Sequence, residues 1–409
     1  MRQGKINTAL FSAALLALGT ISQLGKQYWL AETFLPSEFA LIGLAILGSQ
    51  LFWSFGGGGF QNYSARQSSL IESRRKTLMM RDLVQRQLSI YALFTPVTLL
   101  IIYNALAKPT LESFGVIGLY ATSHAYLNTA TVPIYVRSHL NFAFIHAARG
   151  IASFVTVAVA SLYASVEATL VAESLLLVAI GSYLYRAQGI PVVIFKKKFR
   201  GSMILKARSL APFFLPIVLA SISVAYNRML ANEMLSESDL GIYYFMFIIV
   251  SMGTFIQYGM SVLLGPMITT ALRENAKHTV VNIVIKFWAV SLITSILIGI
   301  FLRYLYLKFL GDFYPEYQAG LVLLSALVIL FAAKASDVWS VYFLLCGYQK
   351  YISITHAGVI ISLLLSSYLI FESEVAGLPA MTVLIYSEAA LLALLPPAIF
   401  YWLIRARVG

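Results

Sequence analysis

The sequence predicts an all-α protein, a polytopic membrane bundle of about twelve transmembrane helices arranged as two six-helix lobes. Three observations carry that class. Of 409 residues, 59% are hydrophobic and only 11% are charged, whereas a soluble domain is about 25% charged. Apolar stretches of about 20 residues, the length that crosses a bilayer, recur a dozen times. Basic and acidic residues alternate between the segments that separate them.

The candidate spans run over 8–30, 39–60, 88–107, 113–133, 148–166, 169–187, 209–230, 240–264, 282–305, 318–345, 351–371 and 377–403. The first begins like a secretory signal, with Arg2 and Lys5 before an apolar run from Ala9 to Leu18. No Ala-x-Ala cleavage site follows and the rest of the chain is equally apolar, so it reads as a retained first helix. Gly56 to Gly59 are expected to end span two, where four glycines weaken the helix. Pro212 and Pro216 are kink candidates in span seven, and Pro266 closes span eight.

With the N-terminus inside, the inner segments hold 23 of the 29 basic residues and the outer loops 11 of the 17 acids. An error of one span would scramble this alternation, so an even number of spans with both termini cytoplasmic is expected. The net charge of +12 is therefore a topological signal, and nucleic acid is not an expected partner. The two largest inner segments, 64–87 and 188–208, are basic and read as surface helices against anionic membrane lipids. The single cysteine, Cys346, precludes an intrachain disulfide.

An internal repeat divides the chain. "YWLAETFLPSEFALIGLAIL" follows span one and "NRMLANEMLSESDLGIYYFMF" follows span seven, about 200 residues apart. Six spans separate the copies, so the halves share one orientation. Parallel repeats of this kind occur in transporters, with the substrate path between the halves. The expected division is an N-terminal lobe over 1–187, a basic linker over 188–208 and a C-terminal lobe over 209–409.

Ionisable residues inside spans are costly and mark pathways, partners or both. Lys26 lies in span one with Gln23 and Gln27 at helical spacing; Arg228 lies in span seven beside Asn227. The two cations sit two residues off register in the repeat. Either they snorkel to outer headgroups or they make a positive entrance to a shared cavity. Lys334 and Asp337, three apart in span ten, read as a self-neutralising pair or as a central site that exchanges partners. Glu388 in span twelve reads as a buried neutral acid or as a cavity group. Asp337 and Glu388 are the candidates for coupling or gating. Glu173 reads as interfacial, His124 and Asn128 as a helix–helix hydrogen-bonding face, and Arg137 and Arg149 as topology signals or an inner rim that attracts anions. Metal-ligand clusters, Walker loops and nucleophile elbows are absent from the sequence. A catalytic role and a bound cofactor are therefore not expected.

Several stretches resemble one family. "YWLAETFLPSEFALIGLA", "LGDFYPEYQAGLVLLSALV", "GYQKYISITHAGVIISLLLSSYLI", "EVAGLPAMTVLIYSE" and "APFFLPIVLASISVAYNRMLANEML" are similar to junctions of Wzx-type polysaccharide flippases. These belong to the multidrug/oligosaccharidyl-lipid/polysaccharide exporter superfamily. The resemblance implies alternating access of two six-helix lobes around a cationic cavity in the cytoplasmic (inner) membrane. The cargo would be an undecaprenyl-pyrophosphate-linked oligosaccharide of an O-antigen, capsule or exopolysaccharide pathway, with a polymerase and a chain-length regulator as partners. Lys26, Arg228, Lys334, Gln23 and Asn227 would then line the substrate path. An inside-negative potential of about 100 mV favours outward movement of each negative charge by about 2.3 kcal/mol, so coupling to the potential, to H+ or to Na+ is expected. The rival readings are a small-molecule exporter of the same superfamily and a membrane glycan polymerase or ligase. The short, mostly acidic outer loops disfavour the second.

Overall fold

The computed structural model describes residues 2–69, short pieces of 81–103, 110–190, 200–251, scattered positions of 264–271, then 277–310, 320–373 and 375–408. Expected span three and the end of span eight fall largely outside them. Among the described residues the regular structure is helical throughout. In order, the helices are α1 (Arg2–Thr33), α2 (Pro36–Ser69), α3 (Leu111–Arg137), α4 (His139–Ser161), α5 (Val166–Ala187), α6 (Arg200–Met234) and α7 (Glu237–Ser251). They continue with α8 (Lys277–Leu305), α9 (Leu321–Ala333), α10 (Asp337–Leu345), α11 (Gln349–Glu372) and α12 (Gly377–Val408). A π-helical turn, Tyr306–Leu310, extends α8, and a 3-10 turn, Lys334–Ser336, joins α9 to α10. Seven of the described helices are long and apolar enough to cross a membrane.

Their outer faces fit hydrocarbon. Ile151, Val155 and Val159 stand exposed one turn apart on α4, as do Ile293, Leu297, Ile300, Phe301 and Tyr304 on α8. Contiguous apolar faces of this size have no place against water. A bilayer also leaves backbone groups no partner but their own helix. That accounts for one departure from expectation: α2 does not stop at Gly56–Gly59 but continues through them to Ser69. α6 likewise runs unbroken through Pro212 and Pro216.

The chain forms two compact units, Met1–Ser221 and Ile222–Gly409, whose boundary falls inside α6. In the first unit α1 packs on α4, α2 on α3, and α3 and α4 on α5. The α1–α4 crossing is set by two glycines. A Cβ on Gly150 would collide with the Gly19 backbone, and a Cβ on Gly19 would collide with His146. This close approach of small residues is how membrane helices gain packing energy without a hydrophobic drive. Trp29 donates to Ser161 at 2.9 Å across the same contact. In the second unit α9 and α11 both pack on α12, and α9 also contacts α7 and α8. Its aromatic core packs Trp339 at a tilt against Phe400 and Trp288.

Short polar caps start the helices where the loops are tight. Thr110, Ser138 and Ser165 accept backbone N–H groups at the starts of α3, α4 and α5. Two caps expose the repeat. Glu38 accepts the Leu35 N–H at 3.0 Å, closing the turn before α2. The turn before α7 has Ser236 accepting the Asp239 N–H at 3.2 Å and donating to the Asp239 carboxylate. Both helix ends, Thr33 and Met234, and both helix starts, Pro36 and Glu237, are 201 residues apart.

Candidate functional site

That register changes which residues correspond. Counting 201 residues onward from Lys26 reaches Asn227, and from Gln27 reaches Arg228. A second correspondence joins α4 to α11. They begin at His139 and Gln349, and each carries a histidine on its eighth residue, His146 and His356. In each unit this histidine meets a hydroxyl of α1 or α6. His146 Nε2 is 3.4 Å from Thr20 Oγ1, and His356 Nδ1 is 3.1 Å from Ser223 Oγ. A third joins the last helices, where "ESLLLVAI" in α5 and "EAALLALL" in α12 begin at Glu173 and Glu388.

In the first unit Lys26 is 1% exposed and ion-paired with Glu173 at 2.5 Å, itself 1% exposed. Ser153 on α4 donates to the same carboxylate oxygen and accepts from the Lys26 ammonium at 3.4 Å. Three helices thus share one buried polar knot. Glu173, expected at the interface, is instead deep among helices, because α1 and α4 close over it at the glycine crossing. Lys26 does not snorkel. Buried without Glu173, its ammonium would carry an uncompensated desolvation cost of several kcal/mol. Gln23 is partly exposed and Gln27 is buried, its side-chain oxygen without a hydrogen bond.

About one turn from Ser153 on α4, Arg149 reaches α3. It donates to Asn128 Oδ1 at 3.0 Å and lies 3.0 Å from His124 Nδ1. The ring of His124 packs on Tyr120 with centroids 4.3 Å apart. His124 and Asn128, read from sequence as a helix–helix pair, are both committed to this arginine. A guanidinium has only donors, so His124 Nδ1 accepts, and the ring is the neutral tautomer with its proton on Nε2. Among the described residues no carboxylate lies within ion-pairing distance of Arg149.

In the second unit the carboxylate is met by an amide. Asn227 Nδ2 donates to Glu388 Oε2, with both residues buried. Glu388 Oε1 and Asn227 Oδ1 lack a hydrogen-bond partner among the described residues. Arg228, 2% exposed, lies over the ring of Phe247 at 4.0 Å, and the Lys334 ammonium approaches the same ring at 5.9 Å. Two cations therefore share one ring, an attraction that the negative face of the ring supplies. Span ten, expected as one helix, is broken at Lys334–Ser336 by the 3-10 turn. That turn stacks residues three apart, yet Lys334 and Asp337 form no ion pair. Lys334 turns to Phe247, while Asp337 opens α10 with an exposed side chain. A mid-helix 3-10 stretch is a common hinge.

The sequence thus indicates Lys26, Asn227, Arg228, Lys334 and Glu388, and the structure places the last four in one unit around Phe247 and α12. It places Lys26 in the other. Ser153, Glu173, Arg149, Phe247 and the two histidines complete these clusters. For the two histidines and Glu173 the signal in the sequence is the 210- and 215-residue spacing of the later repeats; Ser153, Arg149 and Phe247 correspond to Leu363, Val359 and Ile46 in the repeat registers and carry no such signal. Among the described residues no group of three or more His, Cys, Asp or Glu could hold a metal ion.

No protein-family model matches the chain, and a comparison with curated protein sequences gives no match. Solved structures do match over nearly the whole chain. An inward-facing multidrug resistance MATE family transporter of the MOP superfamily superposes with a TM-score of 0.67 at 14% identity, covering 96% of this chain and 97% of the other. An outward-facing conformation of such a transporter gives 0.60 at 13% identity, covering 98% and 96%. A MOP superfamily transporter from Pyrococcus furiosus, described as having a binding pocket of reversed polarity that suggests a different function, gives 0.60 at 12% identity, covering 97% and 94%. The chain has the fold of these twelve-helix membrane bundles.

Proposed function

We propose that this protein is a secondary exporter of the multidrug/oligosaccharidyl-lipid/polysaccharide exporter superfamily that works by alternating access. The observation that carries the reading is the end-to-end likeness of fold to transporters captured in both inward- and outward-facing conformations. The internal repeat supports it. Each unit holds a buried carboxylate on its last helix, matched to a polar residue on its first, and a hinge-like turn interrupts α9–α10. Small amphiphilic molecules are the cargo class that the multidrug neighbours favour. The test is efflux from proteoliposomes containing the purified full chain and loaded with fluorescent amphiphiles, under an imposed potential or H+ or Na+ gradient. Gradient-dependent efflux above that of protein-free vesicles is expected. Equal efflux from both would overturn the reading.

A second reading has one observation in its favour. Arg149 and Lys334 lie inside spans without a carboxylate within ion-pairing distance among the described residues, and such cations suit an anionic cargo. A lipid-linked oligosaccharide carried on undecaprenyl pyrophosphate is the cargo of this kind that the sequence resemblance suggests. Deleting the gene would then leave lipid-linked single repeat units on the cytoplasmic face. Exported but unextended units would point instead to a polymerase.

A further inference from the structure

We propose that Arg149, presented by His124 and Asn128, is an oxyanion-binding subsite of the first unit, taking a phosphate or carboxylate group of the transported molecule. The inference rests on the exporter reading and names the chemistry of its cargo.

Three features of the cluster point to a ligand. First, positive charge is in excess. In the span interiors of this unit the described charged groups are Lys26, Arg149 and Glu173, two cations to one carboxylate, and that carboxylate is in direct contact with Lys26 and not with Arg149. Asn128 is neutral, and His124 is neutral by its acceptor role toward the guanidinium. Second, the donors outnumber their acceptors. Of the five N–H groups of Arg149 two are used, toward Asn128 and His124, and its Nε is a buried atom without a hydrogen bond. The His124 Nε2, which carries the ring proton, is also buried without a partner. Third, Arg149, His124 and Asn128 are each partly exposed, so the cluster can be reached. A forked cation flanked by a neutral N–H donor is complementary to the paired oxygens of a phosphate or carboxylate. A buried helix–helix fastener would have its donors filled.

The roles differ within the cluster. Arg149 is the binding group. Asn128 and His124, one turn apart on α3, hold the guanidinium plane and act as positioning residues.

The test uses the purified full chain in nanodiscs and calorimetric titration with three probes: inorganic pyrophosphate, glutarate and the cationic dye rhodamine 6G. Saturable binding of pyrophosphate, glutarate or both is expected, and which one binds separates a phosphate from a carboxylate cargo. Arg149→Gln is expected to weaken oxyanion binding about ten- to hundredfold, the range of a charged hydrogen bond, with rhodamine 6G binding unchanged. Arg149→Lys keeps the charge without the fork and should fall between. Asn128→Asp provides a variant that keeps the packing. A carboxylate 3.0 Å from the guanidinium fills its charge in place and should abolish oxyanion binding even where Arg149→Gln fails to purify. Wild-type protein that binds neither oxyanion, or an Asn128→Asp protein that binds them as wild type does, overturns the subsite. Vesicle efflux separates this from the exporter reading. Gradient-driven efflux by a wild-type protein that binds neither oxyanion breaks the subsite alone, whereas Arg149-dependent oxyanion binding without any efflux breaks the exporter reading alone.

Discussion

The two units place the same parts in the same order and load them with different chemistry. In each, the helix that opens the repeat, α1 or α6, meets a carboxylate on the last helix and the histidine at the eighth residue of α4 or α11. In the first unit the carboxylate, Glu173, meets an ammonium and a serine and forms a closed ion pair. In the second the register-matched residue is Asn227, so Glu388 is met by a neutral amide where Glu173 is met by a cation. The cation has moved one residue on, to Arg228, and lies on an aromatic ring. One substitution in the repeat, lysine against asparagine, separates a carboxylate held by a cation from one held by an amide. The difference teaches where rigidity and mobility are expected: a stable first unit around Lys26, and a second unit whose Lys334, Arg228 and Glu388 can regroup about the 3-10 turn.

The strongest way to break the comparison is Lys26→Met. Removing one member of a buried ion pair leaves the other charge without compensation, and the expected loss is about 3–5 kcal/mol. It is read as chemical unfolding of the detergent-solubilised chain. Lys26→Met with Glu173→Leu should recover most of that loss, since apolar replacements of buried pairs are often neutral or better. A single-variant loss near zero would mean that the pair is not closed.

Next in size is Asn227→Ala. It strands a carboxylate that has lost its amide donor, at a cost of about 1.5–3 kcal/mol for a charged hydrogen bond. Asn227→Lys is the sharper variant. If Lys26 and Asn227 are true equivalents, the new ammonium pairs with Glu388, the protein melts at or above the wild-type temperature, and gradient-dependent efflux falls. An Asn227→Lys protein that misfolds would argue that the two sites are not equivalent.

Gly150→Leu comes third, at about 1–3 kcal/mol for overpacking. A Cβ there collides with the Gly19 backbone, and the wedge would part α1 from α4 next to Ser153. The position 210 residues on is Ile360, which already carries a branched side chain. Ile360→Leu should therefore cost under about 1.5 kcal/mol, as volume-conserving swaps do. Comparable losses at both positions would remove the glycine crossing as a special feature of the first unit.

The membrane class and the half-way repeat are legible in the sequence because they depend on hydropathy and turn chemistry, both local properties. Glu38 and Asp239 belong to the same turn in both copies, and that is visible in the letters. Asn227, Arg228 and Glu388 can be singled out because a polar residue in an apolar run is conspicuous. Their grouping cannot, since α6 and α12 are joined only by tertiary packing. Glu173 reads wrongly from the letters for a related reason. Its nearness to the helix start suggests an interface, and only the close α1–α4 crossing buries it. Lys334 and Asp337 illustrate the converse. Their spacing predicts a mutual pair, but Phe247, from a distant helix, offers Lys334 a competing partner.

The smallest expected effect probes that competition. Phe247→Leu removes the aromatic face under Arg228 and Lys334 while keeping apolar volume. Cation–π contacts contribute about 0.5–2 kcal/mol depending on desolvation, and Arg228 at 4.0 Å and 2% exposure belongs to the upper part of that range. Lys334 at 5.9 Å contributes less. A stability loss of about 1–2 kcal/mol is therefore expected on unfolding. With the ring gone, Lys334 is released toward Glu388 or Asp337. Carbodiimide coupling of the Lys334 ammonium to Glu388 or Asp337 should then rise in the Phe247→Leu protein. An unchanged yield would show that Phe247 does not hold Lys334 away from the carboxylates, and that the second unit is as fixed as the first.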